Sequence, residues 1–312
     1  MDAEPFSRRR LPADAAMSEW RAADGWPCRR LDWAPAPGVA RRGGLLFAGG
    51  RGDFIEKYLE AYAWWRAAGW SVTAFDWRGQ GRSRGDILRG NYLSFDPLVD
   101  DLAGLIESWR SEAAGPHVAI GHSMGGHLLL RTLVDRAPAL DAAVLVAPMI
   151  RVNSWPMPSW LTPQIADMMC AMGWRDEPVW KLPDDHNRLG SARHRNLTSS
   201  EERYADELFW WEEEPGMSIG APSWGWMRAA FASAEASFTE EKLKRVTLPV
   251  LILATEQDRL VSADAIREAA AALPNARVEW VNEAAHEILR ESDPIRLDAL
   301  ARLDRFLDEV AD

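Results

Sequence analysis

Short apolar runs alternate with amphipathic stretches along most of the chain. The apolar runs have the length of buried strands, and the stretches between them repeat apolar residues at the spacing of helices. Such an alternation predicts a mostly parallel central sheet with helices on both faces. The predicted strands cover residues 44–48, 71–75, 117–120, 142–146, 248–253 and 278–281, and the predicted helices cover residues 54–68, 98–109, 124–134, 263–273 and 294–310.

The alternation stops between about residues 148 and 244 and then resumes. This block holds eight of the chain's 17 tryptophans and seven of its 10 methionines. Because the same pattern flanks the block on both sides, it indicates an insertion into one domain and not a second domain at a terminus. We therefore predict a core domain formed by residues 1–147 and 245–312, with residues 148–244 inserted into it.

Composition and charge exclude several classes of protein. The formal net charge of −11 offers no basic surface to nucleic acid. No apolar run approaches the 18 residues of a membrane span, and Arg8, Arg9 and Arg10 are not followed by the apolar stretch of a signal peptide. Cys28 and Cys170 lie far apart and outside any metal-binding spacing, so we expect a cytoplasmic protein without a metal site.

The predicted strand at 117–120 leads into a G-x-S-x-G pattern, Gly121-His122-Ser123-Met124-Gly125, which is followed by a helix. A nucleophile elbow requires this context, because glycines permit the sharp turn that brings the serine hydroxyl to the carboxyl end of the sheet. A chance match in a glycine-rich turn is the alternative. The pattern predicts Ser123 as the nucleophile.

A serine hydroxyl needs a base that removes its proton, and the base needs a carboxylate that orients it. In this arrangement the acid and then the histidine follow the nucleophile along the chain. Asp258 lies in the loop after the predicted strand 248–253, with Glu256 as its competitor. His286 is the histidine in the loop after the last strand, 278–281. We predict Asp258 as the acid and His286 as the general base.

An oxyanion hole requires two N–H donors. The first is predicted to be the amide of Met124, directly after the nucleophile. The second is the amide of Gly50 or Arg51, in the glycine-rich loop after the first predicted strand. Such a loop also suits phosphate, but G-x-G-x-x-G and the lysine of a Walker loop are both missing. The predicted chemistry requires no metal and no organic cofactor.

Further motifs complete the pattern. They are RGQGRS at 78–83, HSMGG at 122–126, APM at 147–149, RNL at 195–197, YA at 204–205, GAPSWGW at 220–226 and HEIL at 286–289. With them the chain resembles the α/β-hydrolases that include monoacylglycerol lipases and bacterial lysophospholipases, and it is most similar to the lysophospholipase L2 type. The resemblance covers about residues 45–307. The chain departs from the pattern at Gly49 and Phe54, where those lipases usually carry histidine, and at Glu256, where a glycine is frequent.

The resemblance implies that residues 148–244 form a helical cap over the nucleophile. Tryptophan and methionine on a cap make an adaptable apolar wall, and we predict substrate contacts from Trp155, Trp160 and Trp224. The implied substrate is a small acyl ester or lysolipid, which requires at most peripheral contact with the inner face of a membrane. The alternatives are a thioesterase, a lactonase or an aminopeptidase on the same triad, and a small-molecule binder without catalysis.

Overall fold

One sheet forms the centre of the residues that the computed structural model describes, which are 6–87, 90–154, 157–181 and 187–311. Its strands are β1 (Ala16–Arg21), β2 (Pro27–Trp33), β3 (Gly43–Ala48), β4 (Trp70–Phe75), β5 (His117–His122), β6 (Ala142–Val146), β7 (Val250–Ala254) and β8 (Ala276–Trp280). They are hydrogen-bonded in the order β1-β2-β4-β3-β5-β6-β7-β8.

The parallel part of the sheet brings four loops together at one end. Every neighbouring pair from β4 to β8 in this order is parallel. The chain order reverses at β3, which lies between β4 and β5, and such a reversal opens a crevice at the carboxyl ends of the strands. The loops after β3, β5, β7 and β8 carry, respectively, Gly50, Ser123, Asp258 and His286.

Helices cover both faces of this sheet. They are α1 (Leu59–Ala67), α2 (Asp96–Glu112), α3 (Met124–Asp135), α4 (Thr162–Ala171), α5 (Ala192–Leu197), α6 (Glu201–Glu213), α7 (Trp224–Ser237), α8 (Glu240–Leu243), α9 (Ala263–Ala272) and α10 (Asp293–Ala311). One buried apolar cluster joins one face of the sheet to α2, α3 and α9, and a second joins the other face to α1 and α10. Across the described ranges, no helix combines the length and the apolar composition that crossing a bilayer requires.

The sequence pattern does not predict the antiparallel edge of the sheet. There β1 pairs with β2, and β2 pairs with β4. β1 is exposed along most of its length, and a buried position of β2 is occupied by Arg30, which pairs with Asp32 and Glu112 at 2.8 Å each. Neither strand offers a continuous apolar run, so a search for such runs misses both of them.

Between β6 and β7 the described residues form helices α4 to α8. α4 packs against α7, whereas the segment from α5 to α6 is bound to the loop after β8. The amide of Glu287 donates to the carbonyl of Leu197 at 2.7 Å, and the hydroxyl of Thr198 donates to the carbonyl of Arg290 at 2.7 Å. The segment between β6 and β7 thus has one part, around α5 and α6, that contacts the loop of His286, and another part in which α4 and α7 pack against each other.

Candidate active site

Ser123 lies in a sharp turn between β5 and α3. Its backbone angles are φ 52° and ψ −115°, which residues with a side chain rarely adopt. The turn requires glycine on both sides. A Cβ on Gly121 would lie 2.6 Å from the carbonyl oxygen of Gly125, and a Cβ on Gly125 would lie 2.1 Å from that of Ala48. This strained strand–turn–helix geometry is the one that a nucleophile elbow needs.

Backbone hydrogen bonds hold the elbow in place. The amide of Ser123 donates to the carbonyl of Val146 at 2.9 Å, and the carbonyl of Ser123 accepts from the amides of His127 and Met149 at 3.0 Å each. Ser123 is partly exposed, while Met124 is fully buried. The serine is therefore open to a substrate although its backbone is fixed.

Asp258 and His286 form a buried hydrogen-bonded pair. Oδ2 of Asp258 lies 2.7 Å from Nδ1 of His286, and Oδ1 accepts the amides of Leu260 and Val261 at 2.8 and 3.0 Å. Because the carboxylate accepts, the proton of the neutral imidazole is at Nδ1, and Nε2 is left as the base. The ring centroids of His286 and His122 are 5.1 Å apart, which brings the base loop next to the elbow.

The two partners shift each other's pKa in the directions that catalysis needs. Burial alone would raise the pKa of Asp258, but the charge of His286 and the hydrogen bonds to the carboxylate lower it below its ordinary value. Burial alone would lower the pKa of His286, yet the charge of Asp258 and its hydrogen bond raise it. Asp258 is therefore favoured in its ionised form, and the pair is suited to stabilising a protonated imidazole.

The competitor Glu256 lies on the same loop but in a different environment. It is exposed and forms an ion pair with Arg267 on α9. Asp258 is buried and is in direct contact with His286. Of the predicted acid Asp258 and its competitor Glu256, the geometry thus favours Asp258.

The glycine-rich loop after β3 lies directly against the elbow. A Cβ on Gly50 would be 3.1 Å from the Cβ of Ser123, so a larger residue there would crowd the serine. The amide of Gly50 donates to Oδ2 of Asp53 at 2.6 Å, and the amide of Gly52 donates to the side chain of Gln80. Because the Gly50 amide is engaged in this way, the contacts favour the Arg51 amide as the second oxyanion donor.

Comparison with known families places this site in context. The family model described as serine aminopeptidase, S33, matches residues 40–293, a range that contains Ser123, Asp258 and His286. The chain belongs to the serine aminopeptidase S33 family. The similarity to hydrolases that the motifs predicted is therefore confirmed.

Individual relatives cover most of this S33 family chain. Lysophospholipase L2 from Escherichia coli (strain K12) is 30% identical over 288 residues, which are 85% of this chain and 80% of the relative. A probable lysophospholipase L2 from Haemophilus influenzae is 26% identical over 282 residues, 87% and 86% of the two chains. The structure of a soluble variant of monoglyceride lipase from Saccharomyces cerevisiae matches with a TM-score of 0.75 at 17% identity, over 98% and 99% of the chains. This likeness confirms the predicted α/β-hydrolase fold.

The structure describes two of the three tryptophans predicted to contact substrate, and Trp155 lies outside the described residues. Trp160 precedes α4 and leaves 67% of its surface exposed, where it lines an open groove with Met149 and Phe231. Trp224 begins α7 and is half-buried against one of the apolar clusters. Substrate contact by these side chains stays a prediction.

The sequence analysis did not single out the contact between Arg51 and Trp226. The guanidinium of Arg51 lies over the indole of Trp226, 5.4 Å from the ring centroid, and donates to the carbonyl of Gly220 at 2.8 Å. These contacts join the glycine-rich loop to the N-terminal end of α7. The motif at 220–226 contains Trp226, but it also contains Trp224, and the sequence does not reveal which of the two faces the glycine-rich loop.

The other described histidines have structural partners. In His127, Nδ1 contacts the Met149 carbonyl at 2.8 Å and Nε2 contacts the Ser233 hydroxyl at 2.6 Å, and burial lowers its pKa to about 4. His194 stacks on Tyr204. These contacts agree with the expectation that His286 is the histidine suited to proton transfer.

Proposed function

We propose that this S33 family member hydrolyses carboxylic esters of small monoacyl lipids, with lysophospholipids and monoacylglycerols as the substrate class. The observation that carries the proposal is the buried Asp258–His286 hydrogen bond beside the strained elbow of Ser123. The 30% identity to lysophospholipase L2 of Escherichia coli over 85% of this chain supports both the reaction and the substrate class.

In the first half of the reaction, Ser123 is acylated. Nε2 of His286 removes the hydroxyl proton as Oγ attacks the ester carbonyl carbon. The negative charge that develops on the carbonyl oxygen is stabilised by the amides of Met124 and Arg51. When the intermediate collapses, the ester C–O bond breaks and His286 gives its proton to the departing alcohol, which is glycerol or a glycerophospho alcohol for the proposed substrates.

In the second half, water repeats the attack on the acyl-enzyme. His286 removes a proton from the water, the same two amides stabilise the second oxyanion, and the bond to Ser123 Oγ breaks as that oxygen is reprotonated. The products are a fatty acid and the free enzyme. Throughout, Asp258 holds the imidazole in the required orientation and stabilises its positive charge.

Residues 148–244 are proposed as a cap that receives the acyl chain and contacts lipid. Between residues 157 and 180 the structure describes a group of large apolar side chains that each leave 43–67% of their surface exposed. We name this group the apolar cap surface, and its members are Met157, Trp160, Met168, Met172, Trp174 and Trp180. Exposed aromatic and methionine side chains on a helical segment suit peripheral contact with a lipid–water interface.

The test is a comparison of the wild-type protein with Ser123→Ala on a panel of substrates. The panel contains lysophosphatidylcholine, a monoacylglycerol, p-nitrophenyl butyrate, a fatty acyl thioester and an aminoacyl p-nitroanilide. We expect wild type to have its highest kcat/KM on the two lipids and to be labelled by a fluorophosphonate. Ser123→Ala should lose both the hydrolysis and the labelling. The variant should keep less than about a hundredth of wild-type activity, given the size of triad effects.

The thioesterase, the aminopeptidase and the non-catalytic binder each have their own outcome in this panel. Higher kcat/KM on the thioester or on the anilide would replace the proposal by thioesterase or aminopeptidase activity on the same residues. Binding of a lipid without turnover, together with no labelling by the fluorophosphonate, would make the protein a non-catalytic binder. Unchanged hydrolysis by a folded Ser123→Ala variant would refute the role of Ser123.

A further inference from the structure

A buried carboxylate lies between the two loops that would form the oxyanion hole. Asp53 follows the glycine-rich loop and leaves only 5% of its surface exposed. Its Oδ2 accepts the amide of Gly50 at 2.6 Å and lies 2.9 Å from Nδ1 of His122 and 3.2 Å from the hydroxyl of Tyr58. Its Oδ1 lies 2.8 Å from the ammonium of Lys57. One side chain therefore binds four groups.

Two of these groups adjoin the proposed oxyanion donors. Gly50 directly precedes Arg51, and His122 is two residues before Met124, on the other side of Ser123. The spacing between the two loops leaves little room for adjustment, because a Cβ on Gly50 would lie 3.1 Å from both His122 Nδ1 and the Ser123 Cβ. A shift of the Asp53 carboxylate would thus change the position of one donor amide relative to the serine.

Lys57 extends the contacts of Asp53 to the base loop and to the insertion. Its ammonium is 2.6 Å from Glu287, the residue after His286, and 3.1 Å from Glu207 on α6. Arg290 pairs with both of these glutamates, and Arg193 pairs with Glu207 at 2.8 Å. We call this group the buried charge cluster; its members are Asp53, Lys57, Arg193, Glu207, Glu287 and Arg290, three acids and three bases.

Stability alone is a poor reason for such a cluster. Removing charges from water is costly, and buried ion pairs can often be replaced by apolar side chains without loss of stability. A carboxylate beside an oxyanion hole would also repel the developing oxyanion unless cations balanced it. Lys57 provides that balance here: burial would raise the pKa of Asp53, but the charge of Lys57 and the hydrogen bond of His122 hold it well below its ordinary value.

We propose that Asp53 is a positioning residue that holds the Arg51 amide against Ser123, so that it acts on the transition state and not on substrate binding. This inference rests on the proposed function, since it requires an oxyanion to form. The positioning depends on the Asp53 oxygen that accepts a hydrogen bond from the Gly50 amide. The negative charge of Asp53 pairs with Lys57 and is not itself required for positioning. Because Lys57 in turn contacts Glu287, the same contacts set the distance between the oxyanion loop and the base loop.

Two double variants separate the oxygen acceptor from the charge. Asp53→Asn/Lys57→Met and Asp53→Ala/Lys57→Met both remove one acid and one base, so the cluster stays balanced. The asparagine variant keeps an oxygen that can accept from the Gly50 amide. Because Lys57→Met removes the ammonium, the NH₂ group of the asparagine does not face a cation. The alanine variant has no acceptor at this position. We expect kcat of the alanine variant to be about 10- to 100-fold below that of the asparagine variant, with KM within about twofold, since loss of a whole oxyanion donor costs about 10²–10³.

The second measurement is inhibition by a long-chain trifluoromethyl ketone, which adds to Ser123 and places an oxyanion in the hole. Its Ki should rise in the alanine variant by the same factor as kcat falls. The Ki of the matching secondary alcohol, which forms no adduct, should stay unchanged. Thermal melting of both variants checks that they are folded, and each rate is measured well below the melting temperature.

The outcomes distinguish this inference from the proposed function. If the wild-type protein hydrolyses no ester, the proposed function fails before Asp53 is tested. If the wild type is active and the two double variants have equal kcat and equal trifluoromethyl ketone affinity, Asp53 has no positioning role. A lower melting temperature of the alanine variant with unchanged kcat would assign Asp53 to stability alone and would also overturn the inference.

Discussion

At the scale of single residues, environment separates the predicted acid Asp258 from its competitor Glu256. Glu256 and Asp258 lie on one loop, two positions apart. One is exposed and paired with Arg267, while the other is buried against His286 and accepts two backbone amides. A buried carboxylate with three donors is held in a fixed position and stays ionised, which is what orienting an imidazole requires.

Asp258→Asn should therefore reduce kcat by about 10³- to 10⁴-fold, because an amide facing Nδ1 favours the wrong tautomer of His286. Glu256→Gln, the matched control on the same loop, should keep kcat within about twofold of wild type. Steady-state kinetics on p-nitrophenyl butyrate measure both. The opposite ranking of the two variants would assign the acid to Glu256.

The pH dependence of kcat/KM should reveal the raised pKa of His286. The base must be neutral to accept the proton of Ser123, so activity is lost as the pH falls through the pKa of His286 in the free enzyme. Because Asp258 raises that pKa above its ordinary value of 6.5, the acid limb of wild type should have its midpoint above 6.5. The residual activity of Asp258→Asn should have its midpoint at lower pH. Equal midpoints would show that His286 is not the titrating base or that Asp258 does not act on it.

At the scale of elements, the sequence predicts those site residues that lie in the loops after successive strands of the sheet. Ser123 and Asp258 lie just beyond the buried strands β5 and β7, and His286 lies in the loop after the partly exposed edge strand β8. The carboxyl ends of these parallel strands meet at one end of the sheet. Asp53 gives no such signal, because only the fold brings it to His122 and brings its neighbour Lys57 to Glu287. The strand β2 was missed for a related reason: its buried Arg30 interrupts the apolar run and is paired with Asp32 on the same strand and with Glu112, 82 residues later at the end of α2.

The apolar cap surface leads to a prediction about α4 and its flanks. Met168 lies on α4, Met172 is the C-cap residue four positions later on the same side, and Trp160 precedes the helix. The triple variant Trp160→Ser/Met168→Ser/Met172→Ser should bind phosphatidylcholine vesicles at least about fivefold more weakly in a sedimentation assay, because apolar burial drives such binding. Its kcat on a short soluble ester should be unchanged.

The control for this prediction is Met17→Ser, which changes an exposed methionine on β1. It should leave vesicle binding unaltered. Since the chain carries a net charge of −11, wild type should also bind zwitterionic vesicles more tightly than anionic ones at low salt. If the triple variant and Met17→Ser bind vesicles as wild type does, the apolar cap surface does not contact lipid.

At the scale of the whole molecule, one part of the segment between β6 and β7 supports the loop that carries His286. The amide of His286 donates to the carbonyl of Asn196 at 3.3 Å, and the amide of Glu287 donates to that of Leu197 at 2.7 Å. Arg203 on α6 donates to the carbonyl of Glu291 and pairs with Glu60. Residues around α5 and α6 therefore support the base loop, whereas α4 packs on α7. Composition alone could not separate these two parts.

This division predicts different results for two deletions. Replacing residues 157–181 by a flexible Gly/Ser linker removes α4 but keeps the supports of His286. It should leave kcat/KM on a C4 ester within about 10-fold of wild type and reduce it much more on a long-chain lysolipid, because binding energy from the acyl chain is lost.

Replacing residues 148–244 removes Asn196, Leu197 and Glu207 as well, so hydrolysis of both substrates should be lost. Both variants must first be shown to be folded by circular dichroism and thermal melting. Equal losses on the two esters after the smaller deletion would mean that α4 does not select for chain length, and retained C4 activity after the larger one would mean that α5 and α6 do not support His286.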